Sequence, residues 1–334
     1  MNETTTRRRF LTGTAAVAAA GALGACSRTL GSQKENKPMQ TQSTLSDRNL
    51  RGVDRVLTSP GEHWVGDGFR VHGVLSPAGN PRLQSPFLLL DHASVRRFEP
   101  TDRQRGVGEH PHRGFETVTF AYKGEIAHRD SSGGGGLIGP GDVQWMTAAS
   151  GVVHEELHSK RFTEQGGDME MVQLWVNLPA KDKMSTPGYQ PLLDKDFPRL
   201  SVGAAEARLI AGSLQDHKGP AMTHTPITIF DLRFDRDGLA EFELPKGYTS
   251  LLFNLEGKLL IGSDQKPTGV GAMAFMSRDE GVVRVRGEKD ARLLVLSGEP
   301  IDEPVASYGP FVMNTRQELE QAFVDYQSGK MGHL

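Results

Sequence analysis

Histidine carries the chemistry in this sequence. His110-Pro111-His112 sets two imidazoles at i and i+2, and in an extended segment both point to one face because strand side chains alternate. A third imidazole, His154, lies 42 residues after His112, in Gly151-Val152-Val153-His154-Glu155-Glu156. There Glu156 stands at i+2 and shares its face. Two strands that each offer such a pair can converge on one ion with three nitrogens and one carboxylate oxygen. That donor mixture suits an open first-row site for Fe(II), Mn, Ni or Cu, with positions left for water or substrate. The one cysteine, Cys26, excludes a disulfide framework and any Cys-based zinc site, and no His-Glu-x-x-His segment is present. A lone His-x-His is commonly a surface coincidence, so the weight rests on the joint spacing.

Such pairs need strands to hold them, and the composition supplies the turns. Thirty-nine Gly and 19 Pro in 334 residues point to many short strands, and the length suits two domains. Apolar runs at Phe87–Asp91, Thr117–Tyr122 and Met169–Leu178 read as buried strands. Pro179 to Pro198 holds four prolines and reads as a connector. A second strand-rich block follows, with runs at Pro226–Phe234, Thr249–Leu255, Lys258–Ile261, Gly281–Val285 and Ala291–Leu296. Ser250–Ile261 echoes Glu116–Ile126, each being two apolar strands around a Gly turn, a sign of an internal repeat. Near the end, Thr315 and Glu318 form a capping box, with Leu319, Ala322, Phe323 and Tyr326 on one helical face and Gly329 as a stop. The fold implied is all-β: two barrels or sandwiches with a packed helical tail. Gly133–Gly136 lacks the Gly-Lys-Ser/Thr of a phosphate loop and reads as a hairpin end. His63, His72, His92, His128 and His158 have no partner spacing that singles them out.

The first 26 residues read as an address. Arg7-Arg8-Arg9-Phe10-Leu11, a short Ala/Gly stretch and Leu23-Gly24-Ala25-Cys26 have the layout of a bacterial export signal, too short and weakly apolar to span a membrane. Arg7-Arg8 looks like a twin-arginine motif, and Leu-Gly-Ala-Cys like a lipobox whose cysteine carries lipid. The expectation is therefore an exported protein of the periplasm or cell envelope, touching membrane only through a lipid on Cys26. Removing residues 1–25 changes the net charge from −3 to −5. No Lys/Arg run with interleaved aromatics follows the first ten residues, so nucleic acid is not an expected partner. Residues 26–48 are polar and read as a flexible tether.

His110-Pro-His-Arg-Gly-Phe-Glu-Thr-Val-Thr, Gly139-Pro-Gly-Asp-Val-Gln-Trp-Met-Thr-Ala, Gly151-Val-Val-His-Glu-Glu and Tyr308-Gly-Pro-Phe-Val-Met-Asn-Thr resemble the pirin family of the cupin superfamily, over about residues 50 to 330. The resemblance implies a bicupin: a metal-binding barrel at 49–180, a connector at 181–200, a second barrel without metal ligands at 201–300 and a helical segment at 301–334. It implies His110, His112, His154 and Glu156 as ligands of one divalent ion, iron first, with Cu, Ni or Mn as alternatives. The second block, with only His217 and His224, fits a structural role. Many cupins take their carboxylate ligand four residues after the His pair, where this chain has Glu116. Pirins take it from the later motif, Glu156 ahead of Glu155, which leaves Glu116 either to orient an imidazole or a water or to be an ordinary strand residue paired with an Arg. Arg113 and Gly114 are expected to shape the turn after the ligand pair, and Gln144, Trp145 and Met146 to line or back the pocket, with core packing an equal account of Trp145 and Met146.

Two functions follow from the resemblance. One is a quercetin 2,3-dioxygenase-like monomer that opens a flavonol ring with O2 and loss of carbon monoxide, with Glu156 as the catalytic proton acceptor and Glu116 in reserve. The other is a non-catalytic, redox-sensitive metal-binding regulator of the cell envelope.

Overall fold

The computed structural model describes residues 49–59 and 61–334; the expected export signal, Cys26 and the tether to residue 48 lie outside the described residues. Two sets of strands share one order. In the first, a seven-stranded sheet runs Gly188–Leu192, Val143–Thr147, Phe115–Lys123, Gly167–Asn177, Phe87–Phe98, Phe69–Leu75, Glu62–Val65. Its partner is a four-stranded sheet ordered Gly106–His112, Val152–His158, Ile126–Asp130, Gly135–Ile138. In the second, the seven strands are Val53–Thr58, Ala272–Met276, Thr249–Glu256, Arg292–Gly298, Ile227–Phe234, Ala205–Ala211, Arg199–Val202. The four are Gly238–Glu243, Val282–Gly287, Leu259–Ile261, Lys266–Thr268. The architecture is an all-β bicupin with a C-terminal helix, and the repeat read from the two Gly-turn hairpins is the matching strand order.

The unbroken apolar runs have a physical cause. Each central strand buries one face inside its own barrel and the other against the opposite barrel. Val118, Phe120, Leu174 and Val176 of the first sheet share a core with Leu251, Phe253, Leu294 and Leu296 of the second. At roughly 25 cal/mol per Å2 of apolar surface removed from water, this shared layer is a large part of what holds the two barrels together.

The edge strands are exchanged. Val53–Thr58 precedes the first barrel in the chain, yet pairs antiparallel with Ala272–Met276 of the second. The expected connector is not featureless: Gly188–Leu192 pairs with Val143–Thr147 as the outer strand of the first barrel. Pro191 is tolerated there because an outer strand has one side free of ladder hydrogen bonds. Among the described residues no helix is long and apolar enough to cross a membrane.

The capping box forms as read, and the helix spans Arg316–Gln327. Leu319, Ala322 and Phe323 pack against Phe311, Met313 and Val153, whereas Tyr326 stays exposed, contrary to the sequence-based face. Asp325 takes the inward place because it pairs with Arg113 at 2.9 Å.

Candidate metal centre

The strands Gly106–His112 and Val152–His158 pair antiparallel with His154 opposite His110 and Val152 opposite His112. This register converts two separate i/i+2 patterns into one cluster. The ring centroids of His110 and His154 are 4.2 Å apart, those of His110 and His112 4.8 Å, and those of His112 and His154 4.9 Å. One ring nitrogen from each lies within 4.8 Å of the others.

Each ring uses its Nδ1 elsewhere. His110 Nδ1 donates to the Gly108 carbonyl at 2.7 Å and His112 Nδ1 to the Pro310 carbonyl at 3.2 Å; His154 Nδ1 lies 3.5 Å from His128 Nδ1. A carbonyl only accepts, so His110 and His112 carry their protons on Nδ1 and keep Nε2 as a lone pair. His154 Nε2 is buried with no hydrogen-bond partner. Burial, reinforced by the neighbouring imidazoles, lowers His112 to about 3 and puts His154 well below the ordinary histidine range. Both rings are therefore neutral at physiological pH. Convergent neutral nitrogens, one of them otherwise orphaned, fit a divalent first-row ion.

The turn after the ligand pair is held from far along the chain. Arg113 donates to the Ser150 carbonyl at 2.7 Å as well as to Asp325. Gly114 has φ +87°, and a Cβ there would fall 2.0 Å from the Val312 carbonyl oxygen, so only glycine fits. Lys183, buried, donates to the carbonyls of Gly114 and Val312 and to Asn177 Oδ1. Burial drops its amine to about 7. Phe115 and Trp175 pack edgewise on His112, at 5.0 and 5.1 Å.

Glu156 is buried two residues beyond His154, after a register shift in the pairing with Gly106–His112. Its oxygens lie outside the 4.8 Å group formed by the three imidazoles. They accept from Thr119 Oγ1 at 2.9 Å, Gln144 Nε2 at 2.6 Å and Gln173 Nε2 at 2.8 Å. Every partner is a donor, so the carboxylate serves as acceptor only.

Glu116 is elsewhere. It sits on the opposite face of its strand from Thr119, with Val118 and Phe120 toward the second barrel, and accepts from Thr147 Oγ1 at 2.7 Å. Burial raises it to about 7. It therefore orients no imidazole, because alternation along a strand sends residues 116 and 119 to opposite sides. Of the expected pocket trio, Gln144 faces the barrel interior and Met146 packs near Val152 and Tyr189, while Trp145 joins the core between the barrels. His217 lies exposed in a short hairpin, and His224 is 3.9 Å from Asp182.

Two further residues escaped the sequence reading. His128 and Asp130 come from the strand paired on the other side of Val152–His158, in the register Glu156 opposite His128 and His154 opposite Asp130. His128 Nε2 is 3.2 Å from Asp130 Oδ2, and Tyr189 stacks on the imidazole at 4.9 Å. The signal was present: His128-Arg129-Asp130 is itself an i/i+2 pair.

Comparison with known proteins agrees with this architecture. The profile described as Pirin matches residues 68–176, and the profile described as Pirin C-terminal cupin domain matches residues 229–332. A Pseudomonas aeruginosa protein provisionally named quercetin 2,3-dioxygenase is 51% identical over 283 residues, 84% of this chain and 98% of that one. Human pirin is 35% identical over 277 residues, 81% of this chain and 91% of its own. A crystal structure described as quercetin 2,3-dioxygenase from Acinetobacter baumannii superposes with a TM-score of 0.82 at 45% identity, covering 85% of this chain and 99% of that one.

Proposed function

This chain belongs to the pirin family, and from that premise we propose that it is a metal-dependent dioxygenase that opens the ring of quercetin-type flavonols with O2. One divalent ion, Fe(II) before Cu, Ni or Mn, is assigned to the clustered His110, His112 and His154, with Glu156, whose oxygens lie outside that cluster, as a fourth ligand supported by the residue pattern alone. The observation that carries the reading is the set of Nδ1-anchored imidazoles in the barrel whose 51%-identical relative bears a quercetin dioxygenase name. When bound, the ion supplies positive charge that favours the ionised 3-hydroxyl of a flavonol. The protein supplies placement and proton transfer. Glu156, steadied by Thr119, Gln144 and Gln173, takes the hydroxyl proton. His110, partly exposed, marks the side open to substrate, while Phe115 and Trp175 keep water from His112.

The test is O2 uptake by iron-loaded protein over several flavonols, with carbon monoxide measured alongside. Equal amounts of O2 consumed and carbon monoxide released support the reading. Uptake no greater than that of metal-free protein for every flavonol overturns it. The proposal extends to a monomer at the cell envelope, exported through Arg7-Arg8 and anchored by lipid on Cys26; its support is the residue pattern alone.

A further inference from the structure

We propose that Asp130 and His128 are positioning residues that set which nitrogen of His154 carries the proton, and so whether His154 can ligate a metal. The inference rests on the three-imidazole site above and concerns two residues outside it.

The polarity of the chain of contacts follows from its far end. Asp130 Oδ1 accepts from the backbone amides of Ser132 and Gly134, at 2.8 and 3.0 Å, and from the Ser132 hydroxyl at 2.6 Å. These donors pin the carboxylate in the hairpin turn and leave Oδ2 for His128. Burial opposes ionisation, but the hydrogen bonds from His128, Ser132 and Gly134 hold Asp130 at about 2, so it is a carboxylate. An ionised carboxylate only accepts. The His128 proton is therefore on Nε2, and His128 Nδ1 is a lone pair. Facing a lone pair, His154 Nδ1 must be the donor. Its proton stays on Nδ1, and Nε2 is left bare toward His110 and His112. Tyr189 stacked on His128 keeps the ring in the plane that this requires.

An amide at position 130 should reverse the whole chain. In Asp130→Asn the turn donors still bind the side-chain oxygen, so the NH2 group replaces Oδ2 and donates to His128 Nε2. His128 then carries its proton on Nδ1 and donates to His154 Nδ1. That pushes the His154 proton onto Nε2, the atom a metal needs, a wrong-tautomer effect. Deleting the imidazole with His128→Phe only removes an acceptor and is milder.

The experiment titrates Co(II) into metal-free protein at pH 8, reading visible absorption against a competing chelator, with thermal unfolding of each metal-free variant measured beside it. Loss of one outer partner of a ligating histidine typically weakens metal binding by about 10- to 100-fold. His128→Phe is expected at the lower end and Asp130→Asn at the upper end. The double variant should return to the His128→Phe value, because without His128 nothing transmits the reversal. His128→Asn, which keeps an acceptor near Nδ1, should recover part of the loss and covers the case in which His128→Phe does not fold. His154→Ala separates the two readings. Affinity unchanged in that variant overturns the metal site itself. Weak binding there with unchanged affinity in Asp130→Asn overturns only the positioning role. A double variant weaker than either single one overturns the tautomer argument.

Discussion

The two barrels share a strand order but have opposite interiors. Where adjacent strands of the first barrel set Gln144, Thr119 and Gln173 side by side, the matching strands of the second set Ala274, Leu252 and Val295. Where one presents His154 and Glu156, the other presents Val283 and Val285, both fully or nearly fully buried among Phe234, Phe242 and Ile261. The first barrel also has an apolar end, with Phe69, Phe98, Ile126 and Phe162 in contact. Most of its buried polar groups gather at the other end; His158, packed against Phe69, Phe98 and Phe162, is an exception, and its Nε2 lies 3.0 Å from the Gly68 carbonyl. The difference teaches that the buried carboxylate of Glu156 is accommodated because Thr119, Gln144 and Gln173 come with it, since an unsatisfied buried polar group costs about 1 to 3 kcal/mol.

The largest expected effect is on the metal. His112→Ala or His154→Ala should remove most bound metal by elemental analysis, while circular dichroism still reports a folded protein, since the layer between the barrels and the core of the second barrel draw on other strands. Replacing His217 or His224 should leave occupancy unchanged. Full occupancy in His154→Ala would break the contrast between the barrels.

The next effect exchanges the interiors. Val285→Glu puts a carboxylate where no Thr119, Gln144 or Gln173 waits for it, and should cost about 4 kcal/mol in denaturant unfolding. The reverse change, Glu156→Val, strands donors rather than a charge and should cost about 2 kcal/mol. Equal costs for the two would show that the polar set is not cooperative.

A smaller effect separates the barrels at their shared layer. The position facing the other barrel is Glu116 in the first sheet and Thr249, which donates to the Ser85 carbonyl, in the second. Glu116 sits at about 7 instead of 4.5 because burial favours its neutral form. Between those values the folded state keeps a proton that the unfolded chain has lost, so stability falls as pH rises through that window. Glu116→Gln stays neutral throughout. Relative to the unaltered protein it should gain about 2 kcal/mol between roughly pH 5 and pH 8, read as a widening difference in melting temperature. A constant difference across that range would refute the buried-carboxyl account.

The smallest effect on either barrel is expected from changes before residue 49. Arg7→Lys with Arg8→Lys should leave precursor in the cytoplasm, and Cys26→Ala should abolish lipid labelling, with metal content of the purified barrels unchanged. Labelling that persists without Cys26 would refute the anchor.

Much was legible in the chain itself. Strand alternation makes His110 and His112, or His154 and Glu156, neighbours without any tertiary information, and the Gly turns and apolar runs fix two strand-rich blocks. The capping box at Thr315 and Glu318 was equally local. Local pattern failed where a partner lay far away. Tyr326 was placed inward by spacing, but the buried pairing of Arg113 with Asp325 turned the helix. Glu116 looked close to the ligands in sequence, yet strand alternation and packing between the barrels took it to the other face.

The sequence by itself determined the residue types, the face each ligand pair would share and the all-β class, because these depend on periodicities of two and on turn chemistry. Only the tertiary structure decided that His154 lies opposite His110 on one side and opposite Asp130 on the other. It alone decided that Val53–Thr58 completes the second barrel and Gly188–Leu192 the first. Register between distant strands is set by the sum of packing and ladder hydrogen bonds over whole sheets, and no local window of the chain contains that sum.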